Sequence, residues 1–200
     1  KKHAEALRFP VNIAMGIAYT ESDFRPDVKS SKGALGIMQL MAVTAKDVGV
    51  DINRRAETDI NVRGALTYIV KKLPKYLQVD MSNPKRNSGS LRWENLTPDQ
   101  KIRLQLYSYN MGARAAVTGK SKVKFHKGMS PFNNIEDYFD HLEKYYNRKA
   151  GYDYSIKTLN FANSFQPPTI QESLIQEDAE RLPETPKNKE ALLSLPEGLT

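Results

Sequence analysis

The sequence predicts a mainly α-helical domain followed by an extended C-terminal tail, and three observations carry that prediction. Apolar residues recur at helical spacing in several stretches, no run alternates long enough for a sheet, and the last 40 residues scatter their apolar side chains among five prolines. Two hundred residues, 40% of them hydrophobic, suffice for one domain with a core and an appendage. The expected division is a folded body over 1–160 and a Pro-rich, acidic tail or linker over 161–200.

Each element has its own signal. Pro10, favourable at a first helical position, opens the run PVNIAMGIAYTE, where Val11, Ile13, Ala14, Ile17 and Ala18 stand almost without charge, as in a buried helix. Glu21 falls at its end. From Ser22 to Gly36 the chain is rich in Ser, Pro, Asp and Gly and reads as a loop with room for a short hairpin. The helical pattern returns over Thr44 to Val48. A longer helix is expected from about Glu57 to Leu73, with Ile60, Ala65, Tyr68, Ile69 and Leu73 on one side and Pro74 ending it. Residues 80–97 read as a long surface loop. Thr97, Pro98 and Asp99 then make a helix start that should reach Tyr109. Ile135, Tyr138, Phe139, Leu142 and Tyr146 predict a helix over 135–147.

Charge and composition limit the chemistry. With no cysteine, the chain has no disulfide, no thiolate zinc site and no thiol nucleophile. The net charge of +7 is uneven: residues 161–200 hold three basic and seven acidic side chains, so they carry −4 and residues 1–160 carry +11. A basic body is drawn to polyanions, whether nucleic acid, anionic lipid or an acidic wall polymer. No stretch approaches the ~20 apolar residues that span a bilayer. Lys1 in place of Met reads as a processed product or a piece of a longer protein. His3, His126 and His141 are scattered without paired-ligand spacing, so they are expected at the surface and no metal or other cofactor is expected. Gly119-Lys120-Ser121 resembles the end of a phosphate-binding loop, but Arg114 stands where its earlier glycine belongs. Lys120, Lys122, Lys124 and Lys127 flank Phe125 and read as a solvated basic loop; nucleic acid is not the expected partner.

Glu21 holds the candidate chemistry. A carboxyl shielded at the exit of an apolar helix keeps its proton to higher pH and can act as a general acid near neutrality. Around it stand Glu21-Ser22-x-Phe24-x-Pro26, Ser30, Gly33-Ala34-x-Gly36-Ile37-Met38-Gln39-Leu40 and Thr44-Ala45. This ordered set resembles the signature of the soluble lytic transglycosylase (SLT) family. Asn61-Val62 with Tyr68-Ile69 is similar to that family's Asn-Ile and Tyr-Leu pairs, although Ala65 stands where the family usually has Gly. Tyr109-Asn110-Met111-Gly112 looks like its Ala-Tyr-Asn-Ala-Gly block, with Ser108 in place of the first alanine.

The resemblance covers roughly Phe9 to Tyr146. It implies a goose-type-lysozyme-like helical domain with a glycan groove, cleaving the MurNAc–GlcNAc β-1,4 bond of peptidoglycan. Glu21 matches the sole catalytic carboxylate. Ser22 and Ser30 match residues lining the loop beside it, Met38 and Gln39 the groove wall, and Tyr109 and Asn110 residues that touch substrate or the acid. Tyr138 is matched to the family's tyrosine on a late helix.

The resemblance implies that the substrate's N-acetyl group replaces a second carboxylate and that the product is 1,6-anhydroMurNAc. Asp23 and Asp27 are loop aspartates beside Pro26, expected in turns; a catalytic role for either would favour a hydrolytic goose-type lysozyme. A third alternative is a wall-docking module of a larger virion or envelope assembly with weak activity. A phage virion protein and an exported bacterial protein are the two origins considered, both acting in the periplasm or cell wall on glycan strands. The acidic tail is expected to strap across the basic body or join a neighbouring chain, partly burying Phe161, Phe165, Ile170, Leu174 and Ile175.

Overall fold

Pro10 starts a helix, as expected, but a shorter one precedes it. The computed structural model describes residues 1–77, 93–112, 134–146 and 149–165, the side chains of 144–146 excepted. In it α1 (Lys2–Ala6) is a single short helix that hydrophobic periodicity does not predict; His3 Nε2 on it lies 2.8 Å from Asp59 Oδ1. Helix α2 (Val11–Ser22) turns Ile13, Gly16, Ile17 and Ala18 inward and stops where Asp23 and Phe24 take left-handed conformations, φ 54° and 59°. Glu21 is thereby fixed in the last turn. The loop that follows contains isolated bridges, Lys29 with Leu35 and Leu35 with Leu40, in place of a hairpin. It leads into α3 (Ala42–Asp47).

Pro74 does not end the next helix. After α4 (Thr58–Thr67) the chain makes a wide π turn over Tyr68–Lys72 and runs directly into α5 (Leu73–Leu77). The N–H of Leu73 reaches five residues back to the carbonyl of Tyr68. In that register the carbonyl of Ile69 lacks a donor, because Pro74 has no N–H. Buried Gln105 supplies one: its Nε2 donates to Ile69 O at 2.7 Å. A neighbouring helix thus replaces the bond that proline removes, and the helix survives.

Helix α6 (Pro98–Met111) opens on a full capping box, Thr97 with Gln100, and runs two residues past its expected end. α7 (Ile135–Tyr146) lies where its pattern predicts, but His141 on it is buried, against the expectation of a surface histidine. α8 (Lys149–Ser164) has no counterpart in the sequence reading. Its inward positions include Gly151, Tyr154, Ser155, Thr158 and Ala162, mostly small or hydroxylated, so hydrophobic periodicity gives little sign of it.

This helix also carries the folded body past the expected boundary at residue 160. Phe161 stacks on Tyr19 with centroids 3.7 Å apart, and Phe165 meets Phe161 edge-on at 4.7 Å. The first compact unit is Lys1–Phe165 and the second Gln166–Thr200. The latter, with Ile170, Leu174 and Ile175, lies outside the described residues, as do His126, the lysines around Phe125 and most of the expected 80–97 loop.

The core gathers Ile17, Leu66, Ile69, Leu104, Leu106, Tyr107, Tyr138 and Leu142. α8 packs on both α2 and α6, and two glycines make that approach possible. A Cβ on Gly16 would lie 2.5 Å from the Thr158 carbonyl oxygen; one on Gly151 would lie 2.5 Å from Met111 Cγ. Thr158 Oγ1 and Thr20 Oγ1, 3.2 Å apart, continue the α2–α8 seam. We expect Gly16→Ala to push α8 outward and cost ~1–3 kcal/mol, the usual range for overpacking. Chemical denaturation measures it, and an unchanged midpoint would show that the seam has slack.

Candidate active site

Two helices far apart in sequence meet at Glu21. It sits in the last turn of α2, largely buried, and the Tyr154 hydroxyl on α8 donates to its Oε1 at 2.8 Å. Burial pushes the Glu21 pKa from an ordinary 4.5 up to about 7, and the Tyr154 bond holds it from rising further. Tyr154 itself is held well above the usual phenol range, first by burial and then by the neighbouring Glu21 charge, so it stays a donor. Tyr109 on α6 is raised in the same way by burial, then by Glu21 and Tyr68. One carboxyl facing two neutral phenols can therefore exchange a proton near neutrality.

The loop after α2 is braced against this pair. Tyr109 donates its hydroxyl to the carbonyl of Met38 at 2.7 Å. Asn61, fully buried on α4, accepts from Met38 N at 2.8 Å and donates to the carbonyls of Leu35 and Arg55 at 2.7 and 2.6 Å. One amide side chain thus satisfies three backbone groups of a segment without regular structure. Ser22 Oγ lies 2.8 Å from Ile37 O and 3.1 Å from Ala18 O, tying the loop to α2. Gln39, at φ 48°, donates from Nε2 to the carbonyls of Val28 and Gly36, both at 2.9 Å.

The structure brings Glu21 and Tyr109 together and places Met38 behind Tyr109. Several other expected residues serve the scaffold. Ser22 is 3% exposed with its hydroxyl committed to carbonyls, and Met38 is 1% exposed, so it is through its backbone that Met38 reaches the site. Ser30 Oγ accepts from Ala34 N at 3.0 Å and closes a turn. Asn110 is exposed at the end of α6. Tyr138 is a correction: it is 0% exposed inside the core, and the late tyrosine that reaches the acid is Tyr154. Periodicity made Tyr138 prominent because it belongs to an apolar stripe, which is the mark of a core residue. Tyr154 gave no such signal, since the helix that carries it is nearly without an apolar stripe.

Asp23 ends α2 and Asp27 is exposed on the loop; neither is among the groups that perturb Glu21. Among the described residues no group of three or more His, Asp or Glu is placed to hold a metal ion.

With this geometry in place, comparison with known proteins is decisive at the family level. The family model described as the transglycosylase SLT domain matches residues 1–130. The chain belongs to the SLT domain family. Curated relatives of this SLT chain include membrane-bound lytic murein transglycosylase F of Pseudoalteromonas translucida, 32% identical over 72% of this chain and 27% of the relative. The protein of the same name from Vibrio parahaemolyticus is 26% identical over 97% of this chain and 35% of its own length. A third, from Vibrio campbellii, is 30% identical over 56% of this chain and 17% of the relative. The SLT chain therefore spans only about a third or less of these relatives. The family match ends before α7 and α8, so Tyr154 lies beyond the part of the chain that the model covers.

Two outcomes follow from the Glu21 environment. Removing the Tyr154 hydroxyl with Tyr154→Phe deletes the bond that favours the carboxylate, so the Glu21 pKa should move above about 7; a carboxyl-detected NMR titration reads the shift, and a fall would contradict the assignment. A pKa raised on folding means that stability declines as pH rises from about 4.5 to about 7 and stays reduced above that. Glu21→Gln keeps an acceptor for Tyr154 and abolishes this loss. It should be more stable than the parent at pH 8 by up to about 3 kcal/mol, and close to it at pH 4, in paired denaturation curves.

Proposed function

We propose that the chain is a peptidoglycan lytic transglycosylase domain that cleaves the MurNAc–GlcNAc β-1,4 bond and leaves a 1,6-anhydroMurNAc end. The observation that carries this reading is a single shielded carboxyl with a pKa of about 7, held by Tyr154 and facing Tyr109, in an SLT chain. The curated relatives, named as lytic murein transglycosylases, support it. The +11 charge of residues 1–160 suits a body that works on an anionic wall polymer.

In the proposed reaction, protonated Glu21 gives its proton to the glycosidic oxygen. The C1–O bond breaks, and its electron pair leaves with the departing GlcNAc. The N-acetyl carbonyl oxygen of MurNAc stabilises C1, the task that a second carboxylate performs in many glycosidases. The Glu21 carboxylate then takes the proton of the sugar's own 6-hydroxyl, whose oxygen bonds to C1. No water is consumed, and Glu21 ends protonated as it began. A pKa near the working pH suits a group that must be acid first and base second. Tyr154, donating to Oε1, steadies the carboxylate between the two steps and leaves Oε2 for the substrate.

On this reading the site of action is the cell wall, reached from the periplasm, and the partners are glycan strands. Among the described residues no helix is long and apolar enough to cross a membrane. Any virion or envelope partner of residues 166–200 belongs to the same proposal.

Glu21→Gln should reduce clearing of purified sacculi by at least ~10²-fold, the low end for loss of a general acid, while binding of sacculi persists. Mass spectrometry of the products of the parent chain decides the chemistry. Muropeptides lighter by one water than hydrolytic products are expected; reducing ends as the dominant species would replace the lytic reading with the lysozyme one.

A further inference from the structure

Away from Glu21, α5 presents an exposed aromatic ring that is fixed from behind. Tyr76 is 45% exposed, yet its hydroxyl donates to Asp47 Oδ2 at 3.1 Å, and Lys72 Nζ holds the other oxygen, Oδ1, at 3.1 Å. Asp47 ends α3, so this half-buried carboxylate joins α3 to the helical run that carries Lys72 and Tyr76. Surface tyrosines ordinarily rotate, and ordering one on a ligand costs conformational entropy. Here the ring is oriented before anything binds.

This cluster is continuous with the site. Tyr68, Lys72 and Tyr76 follow one another at four-residue intervals through the π turn, and so share a face. The contacts agree: Asp47 touches both Lys72 and Tyr76, and the charges of Tyr76 and Asp47 act on Tyr68, which burial pushes up to about 12. The Tyr68 ring lies 6.4 Å from that of Tyr109, which feels the Glu21 charge. From Tyr68 to Tyr76 the run advances eight residues, ~12 Å along its axis. An aromatic strip thus leads from the acid through Tyr109 and Tyr68 to Tyr76, long enough for more than one sugar ring.

We propose that Tyr76, backed by Asp47 and Lys72, is a distal platform for a pyranose ring of the strand that Glu21 acts on, an inference that rests on the function proposed above. A pyranose presents a face of C–H groups edged with hydroxyls. A preoriented aromatic face takes the first, and the N–H groups of Lys72 not engaged by Asp47 reach the second. Asp47 beside the ring opposes a phosphate backbone, which argues against nucleic acid as the occupant. The platform favours long strands, because a short fragment seated at Glu21 does not extend to it.

The test is calorimetric binding of purified glycan fragments, one a single disaccharide and the other of four disaccharides, to the chain with Glu21→Gln so that nothing is cleaved. Adding Tyr76→Ala should weaken the long fragment about tenfold and leave the short one unchanged. Tyr76→Trp should retain the affinity for the long fragment. Should Tyr76→Ala melt early, Tyr76→Gln, which keeps a donor for Asp47 but has no aromatic face, should show the same length-dependent loss. Equal affinity of parent and Tyr76 variants for the long fragment overturns the platform. Clearing of sacculi by the parent chain separates the two readings: cleavage with no Tyr76 effect removes the platform alone, a length-dependent Tyr76 effect without cleavage removes the lytic reading alone, and neither binding nor cleavage removes both.

Discussion

The hydrogen bond from Tyr154 to Glu21 depends on how closely α8 lies against α2. A phenol reaches a carboxylate at 2.8 Å only if the two backbones are close, and the absence of a side chain at Gly16 sets that closeness against the Thr158 carbonyl. Gly151 does the same for the opposite flank of α8 against α6. The acid is thus tuned by burial that raises its pKa and by one donor that limits the rise, and both depend on the position of a single helix. Helices chosen only for apolar area would pack further apart, and the carboxyl would lose its donor.

The second support of the site is the loop from Asp23 to Met41. It has almost no regular structure of its own, and its order comes from side chains that begin elsewhere. Asn61 reaches up from α4, Ser22 closes it onto α2, and Tyr109 holds the Met38 carbonyl from α6. Each polar side chain satisfies backbone groups that would otherwise be buried without partners, at a net stabilisation of roughly 1 kcal/mol per bond and a larger loss if one is left open. This explains why residues resembling a family signature include so many that never need to meet substrate: Ser22, Ser30 and Met38 build the wall in front of which Glu21 and Tyr109 stand.

What could be read from the sequence follows from what leaves a pattern. α2 and α7 have apolar faces and α6 has a capping box, so all three are legible, and the Glu21 block is dense enough to suggest the family, which the match over residues 1–130 confirms. Pro74 was misleading, because the compensation for its missing N–H is a glutamine on another helix, 36 positions away. α8 was illegible for a different reason: Gly, Ser, Thr and Ala on its inner face lower the contrast between sides. With that helix went Tyr154, and Tyr138 took its place because a tyrosine in an apolar stripe draws attention. The boundary at residue 160 failed for the same cause, since Phe161 and Phe165 resembled scattered tail residues and are instead the last aromatic contacts of the folded body.

The span between Glu21 and Tyr154 is 133 residues, and this has a consequence for biogenesis. A chain emerging from the ribosome completes α2 early, yet its carboxyl remains water-exposed and ordinary until the last helix arrives to cover it. Closing so long a loop is entropically slow relative to the local helices. The acid is therefore assembled at the end of folding rather than carried through it, and an unfinished or truncated chain lacks the proton affinity on which the proposed chemistry depends. Competence is in this sense a proofread of completeness, tied to the docking of one helix that sequence pattern alone barely announces.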